Sequence, residues 1–185
     1  MHTYKNRKHA FEKEVTWTLE DGQLKIESEE QIIKSIQLNQ IARIRLSYIP
    51  TRARLNNYSC KISSVMGEDE FTSTQFISFA NFKNTGKAYT DFVKALIQAV
   101  FVDHPSVELV SGKPALSYYI NNTIMLVSFG LLAVLIFFLG DLLTSMSWIK
   151  FILILAMLPY AIRYMQQNKP GNFSANQIPE KLLPK

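Results

Sequence analysis

The chain is poor in the residues that make chemistry easy to read. It has one cysteine in 185 residues, Cys60, so no disulfide can close within it. A lone free thiol fits a reducing compartment. Its three histidines, His2, His9 and His104, are scattered, and no zinc-ligand spacing exists. There is no Gly-rich phosphate loop, no His-Glu-x-x-His and no Gly-x-Ser-x-Gly. No catalytic residues, no cofactor and no metal are therefore expected, and the chain reads as a protein other than an enzyme. The basic start, Met1 to His9, has no apolar run behind it, so no secretory signal is expected there.

Charge is missing from one long stretch. Residues 116–162 contain only Asp141 and Lys150. Residues 1–115 hold 15 of the 20 Lys/Arg and 13 of the 15 Asp/Glu, a formal +2. That is too little for a nucleic-acid footprint, and no nucleic-acid partner is expected. The tail carries Arg163, Lys169, Lys181 and Lys185 against Glu180. Mean hydropathy over the chain is +0.03, an average that hides two populations.

The first population reads as β. Val15, Trp17 and Leu19 alternate with polar residues up to Asp21-Gly22, the dipeptide of a type I′ turn. Leu24 and Ile26 alternate after it, giving a hairpin over 14–29. Residues 31–49 continue as strand up to Pro50. Residues 51–57 read as a loop, Tyr58–Met66 as a strand, 67–70 as an acidic turn and Phe71–Phe79 as a further strand. The period then changes: Tyr89, Phe92, Val93, Leu96, Ile97 and Val100 follow helical spacing. The polar face of that helix carries Lys87, Asp91, Lys94 and Gln98, and Pro105 lies past its end. The expectation is a soluble domain over 1–102, of six or seven antiparallel strands and one closing helix, with a linker over 103–117.

The second population reads as membrane. Ile120–Gly140 carries no charge, and at 1.5 Å per residue it reaches about 30 Å, the thickness of the hydrocarbon core. Tyr118 and Tyr119 suit the interface. Trp148–Met165 is a second candidate, with Lys150 and Arg163 near its ends and Pro159 inside. The reading is a transmembrane hairpin over 118–165 and a Pro-rich tail over 166–185. Two alternatives stay open: buried helices of a soluble domain, or a second helix lying along the interface. Flanking cations place both termini in the cytoplasm, with the protein multi-pass in a bacterial inner membrane.

The strand order, the helix around Tyr89-Thr-Asp-Phe-Val-Lys-Ala-Leu, the paired apolar helices and the tail Asn168-Lys-Pro-Gly-Asn-Phe to Pro184 resemble bacterial pleckstrin-homology-like membrane proteins, a proteobacterial group of this layout. The resemblance implies a seven-stranded bent antiparallel barrel with a C-terminal capping helix and a binding or scaffolding role. It implies no reaction.

Two features are candidates for binding. Arg43, Arg45, Arg52, Arg54 and Lys61 cluster in sequence, as a patch for anionic lipid headgroups or a partner, or as a solvated strand face. Phe173, Ile178, Pro179, Leu182 and Leu183 form an extended apolar strip that docks on its own domain or a partner, or frays. Cys60 alternates with Tyr58 and Ile62 and reads as a buried hydrophobe. The functional expectation is a membrane-anchored adaptor with a protein partner. The alternative is an accessory subunit of a transport or channel complex, with Ser128, Gly130 and Ala133 as a close-packing stripe.

Overall fold

The computed structural model describes residues 1–29, 31–50, 56–79, 81–139 and 147–184. The chain is mainly β and divides into two compact units, Met1–Gly112 with Gly171–Lys185, and Lys113–Pro170.

In the first unit a four-stranded antiparallel sheet runs in the order β1 (His2–Asn6), β2 (Val15–Glu20), β3 (Gln23–Ser28) and β4 (Gln31–Gln37). The β2–β3 hairpin forms as the alternation dictates. Asp21 and Gly22 both take positive φ, 49° and 71°, which a type I′ turn requires. A five-stranded sheet follows in the order β11 (Gly171–Asn172), β10 (Glu108–Ser111), β5 (Ile41–Pro50), β6 (Asn56–Ser64) and β7 (Gly67–Thr72). A separate two-stranded sheet pairs β8 (Thr74–Ser78) with β9 (Asn81–Asn84). Helix α1 (Gly86–Asp103) packs its Tyr89, Phe92, Val93, Leu96, Ile97 and Val100 into the core, all of them buried.

Period-two alternation sorts the side chains of both large sheets. Trp17, Leu24, Ile26 and Ile36 from one, and Ile44, Leu46, Cys60, Ile62 and Phe71 from the other, enter a single apolar cluster. Phe71 lies at its centre, with ring contacts of 4.9–5.6 Å to Trp17, Tyr4, Tyr89 and Phe92. Tyr4 brings its hydroxyl inside and donates to the carbonyl of Thr72 at 2.5 Å, so the buried polar atom is satisfied.

Several expectations are corrected. The N-terminus, for which no element was expected, forms β1, paired along its whole length with β2. Residues 67–70 are strand, and the turn falls at Val65-Met66. The expected Phe71–Phe79 strand breaks at Ser73, whose side chain accepts from the Tyr58 backbone N–H at 2.9 Å. The expected linker 103–117 contains β10, which runs parallel to β5. A parallel neighbour needs a long crossover, and α1 is part of the one that serves here. Among the described residues the strands form three hydrogen-bonded sheets and no closed barrel.

The second unit is helical. Helix α2 (Ala115–Leu139) begins five residues before the expected Ile120, and α3 (Ser147–Gln167) contains Pro159. Within this unit the Tyr118 hydroxyl donates to the Met165 carbonyl at 3.2 Å, and Lys113 N–H donates to the Asn168 carbonyl at 3.1 Å. Ala115–Leu135, with mean hydropathy 1.5 and only 6% of the stretch buried, is long and apolar enough to cross a bilayer. The expected connection Asp141–Ser147 lies almost wholly outside the described residues.

Candidate functional site

Three of the five clustered cations lie on one face of the five-stranded sheet; Arg52 and Arg54 fall outside the described residues. The strand register decides what those three face. Glu108 of β10 sits beside Arg43, whose Nε donates to its Oε2 at 2.6 Å while Nη2 lies 2.6 Å from the same oxygen. Lys61 pairs across the strands with Arg45 on one side and Glu70 on the other, and its ammonium is paired with Glu68. That hydrogen-bonded lysine holds the Glu68 carboxyl below its usual range. Arg45 donates to the Gly112 carbonyl at 3.2 Å; desolvation, then the neighbouring Arg43, lowers its pKa. Lys34 is paired with Asp69 at 2.5 Å. An arriving anion therefore meets carboxylates interleaved with the cations. The exposed pairs, Arg43–Glu108 and Lys61–Glu68, are worth only about 0–1 kcal/mol each, so their effect is on potential more than on stability.

The tail lies against the β unit. Beyond β11, Phe173 N–H donates to the Leu109 carbonyl at 3.1 Å, extending the ladder on β10. A turn at Ser174–Gln177 buries Ala175, and a 3₁₀ turn over Glu180–Leu182 delivers Leu182 into the core at 0% exposure, with Leu183 beside it. Phe173 and Ile178 pack half-buried against the same cluster, while Pro179 precedes the 3₁₀ turn in extended conformation. Pro184 reaches the first residue of α1: a Cβ at Gly86 would lie 2.7 Å from its Cβ. Glycine there is what lets the tail approach.

Two grooves flank the exposed face of α1. One, of about 690 Å³, has an apolar floor of Leu19, Leu38, Ala95 and Ala99 and a rim that includes Asp91, Asp103 and the exposed Val102. The other, of about 680 Å³, lies between Lys94 and Gln98 of α1 and Ile178, Pro179 and Leu183 of the tail. Lys94 and Gln98 border both. Concave apolar surface with a few polar groups on the rim is the shape that takes an extended or helical segment. Helical periodicity predicts the polar stripe on α1. It does not predict the grooves, which need β2, the 3₁₀ turn at Leu38–Gln40 and the tail to form their other walls.

Cys60 is fully buried in the β6 row, and burial pushes its thiol pKa up, so it packs as a small hydrophobe. Among the described residues no three His, Cys, Asp or Glu side chains converge as metal ligands. No family model, no curated protein and no solved structure matches this chain.

Proposed function

We propose that the protein is a membrane-anchored adaptor without enzymatic activity, a pleckstrin-homology-like domain held at the cytoplasmic face of a bacterial inner membrane by a two-span hairpin. One observation carries the reading: an apolar helix with 6% of its spanning stretch buried is inserted between β10 and β11, two strands that pair in the same β unit. Surface so apolar and so exposed needs lipid around it. A chain that enters the bilayer at α2 and rejoins the same β unit at β11 must cross twice, which gives α3 the return passage. Its charges, Lys150 and Arg163, lie toward its two ends, where long side chains reach the interface. The flanking cations Lys169 and Arg163 favour the cytoplasmic side for the tail.

The domain part of the proposal rests on layout: two sheets, antiparallel except for β10 beside β5, sharing one core with α1. The binding part rests on the tail, an extended apolar segment already held along β10 and beside α1. A fold that seats its own strip this way has the surface to seat a partner's. A second reading, an accessory subunit of a transport or channel complex, is favoured by Gly130, where an added Cβ meets nothing within 4 Å, leaving room for a neighbouring helix.

The test is photocrosslinking in native membranes from probes at Lys94 and Gln98, in the natural chain and in one whose residues 113–170 are replaced by an unrelated two-span anchor. The adaptor reading expects the same crosslinked partner from both. Loss of the partner with the foreign anchor, the β unit still folded, sinks it in favour of the subunit reading.

A further inference from the structure

The β unit is assembled from two pieces of chain. Met1–Gly112 is made first, then the helical unit Lys113–Pro170, and only then Gly171–Lys185. The late piece belongs to the core. Leu182 is fully buried, and Leu183 and Ala175 enter the same cluster as Ile44, Phe71 and Leu96. Gly171 and Asn172 pair with Ser111 and Val110, and the Ser111 hydroxyl donates to the Gly171 carbonyl at 3.1 Å. Among the described residues β10 lies between β11 and β5. Without the late piece it becomes an edge strand that carries the buried Leu109 and Val110.

Side chains hold most of the tail. Among the described residues, the tail beyond Phe173 makes its backbone bonds to itself: Gln177 to Ser174, Leu182 to Pro179 and Leu183 to Glu180. A free peptide of the same sequence can repeat such a fit. The tail also carries charges, Glu180 and Lys181, with Lys169 just before it. A segment of this kind does not pass through hydrocarbon unaided, so it stays on the side where α3 leaves it.

We propose that tail docking is a topology check: the β unit completes its core only when the chain has crossed the bilayer and come back to the side it left. The inference rests on the anchoring reading above. A single crossing strands Ala175, Leu182 and Leu183 beyond the bilayer and leaves their slot open. A second crossing returns them. The order of synthesis then sets the order of folding, because the sheets and α1 wait with a gap that only the last residues fill. A gap in a core costs stability in proportion to the volume missing. The unfinished unit therefore opens more often and is cleaved faster.

Full-length protein carrying Lys181→Cys is translated in vitro into inverted inner-membrane vesicles, with and without the pair Leu155→Arg and Leu158→Arg. Lys181 is exposed, and Cys60 is fully buried and stays unlabelled. Leu155 and Leu158 are exposed on α3, within the helical unit, so the arginines act on insertion. The readouts are labelling at position 181 by a membrane-impermeant maleimide and the lifetime of the β unit under added protease. Without the arginines, labelling from outside and a resistant β unit are expected. With them, position 181 is labelled only after detergent, and the β unit is cleaved about tenfold faster, since cleavage follows the population of the open form. A synthetic peptide of residues 171–185, added outside, restores resistance. Equal resistance with the tail stranded overturns the proposal and leaves the anchoring reading standing, as does failure of the peptide to restore it. Identical sidedness of position 181 in both proteins defeats the anchoring reading and this one with it.

Discussion

The two units bury opposite things. In the β unit Phe71, Tyr89, Phe92 and Trp17 are inside and the charges lie on the surface. In the helical unit Leu126, Val127, Leu131 and Leu135 are outside, each more than half exposed. The same transfer free energy explains both if the two units meet different solvents. Water drives the first set inward at about 25 cal/mol per Å², while hydrocarbon leaves the second with nothing to escape from. The contrast also limits what packing can do. The β unit gets its stability from its own core, whereas on the anchoring proposal α2 gets its place from the bilayer.

The contrast breaks most sharply at α2. Leu131→Arg is expected to cost about 2.5–3.5 kcal/mol of insertion and to release a large share of the protein from membranes on alkaline carbonate washing. Full retention would mean that the helix is not in lipid. Next in size are two core truncations in the β unit. Phe71→Ala is expected to cost about 3–5 kcal/mol and Leu182→Ala about 2–4 kcal/mol, read as lower unfolding midpoints with membrane integration unchanged. An unaltered midpoint for Leu182→Ala would show that the tail is no part of the stable unit.

A smaller effect sits at Tyr4. Tyr4→Phe removes the bonds to Thr72 and Thr85 and should cost about 1–2 kcal/mol. Burial pushes this hydroxyl up to about 12 from 10, against the pull of its hydrogen bonds to Thr85 and Asn6. The folded form thus holds the proton more tightly than the unfolded chain. This contribution is constant below about pH 10 and falls by roughly 1.4 kcal/mol per pH unit above it, until the folded group itself titrates. Chemical denaturation between neutral pH and pH 11 should show a shallower alkaline loss in Tyr4→Phe. The smallest effect is at the charged face: Arg43→Ala should change stability by less than about 1 kcal/mol, because its partner Glu108 is itself half exposed.

Legibility in the sequence followed the range of the interaction. The β2–β3 hairpin was readable because alternation and Asp21-Gly22 are adjacent in the chain. α1 was readable from six apolar residues at helical spacing. β10 was not: Glu-Leu-Val-Ser is too short to show a period, and only its parallel seat beside β5 makes it a strand. The end of β7 and β8 were read as one strand, Phe71–Phe79, because nothing local marks the break at Ser73, and β9 was not read. The charged cluster was legible as residues, but not the acids it faces, since Glu108 reaches Arg43 across 65 positions.

By itself the sequence determined what depends on neighbours along the chain: the turn at Asp21-Gly22, the amphipathic α1, and an uncharged run long enough for a bilayer. Those are set by backbone sterics and by apolar surface counted over a few turns. The tertiary structure alone decided which cations meet carboxylates, that Gly86 makes room for Pro184, and that the last residues of the chain complete a core begun at Tyr4. Such pairings join residues far apart in the chain, and their closure entropy is offset only when the whole core forms together.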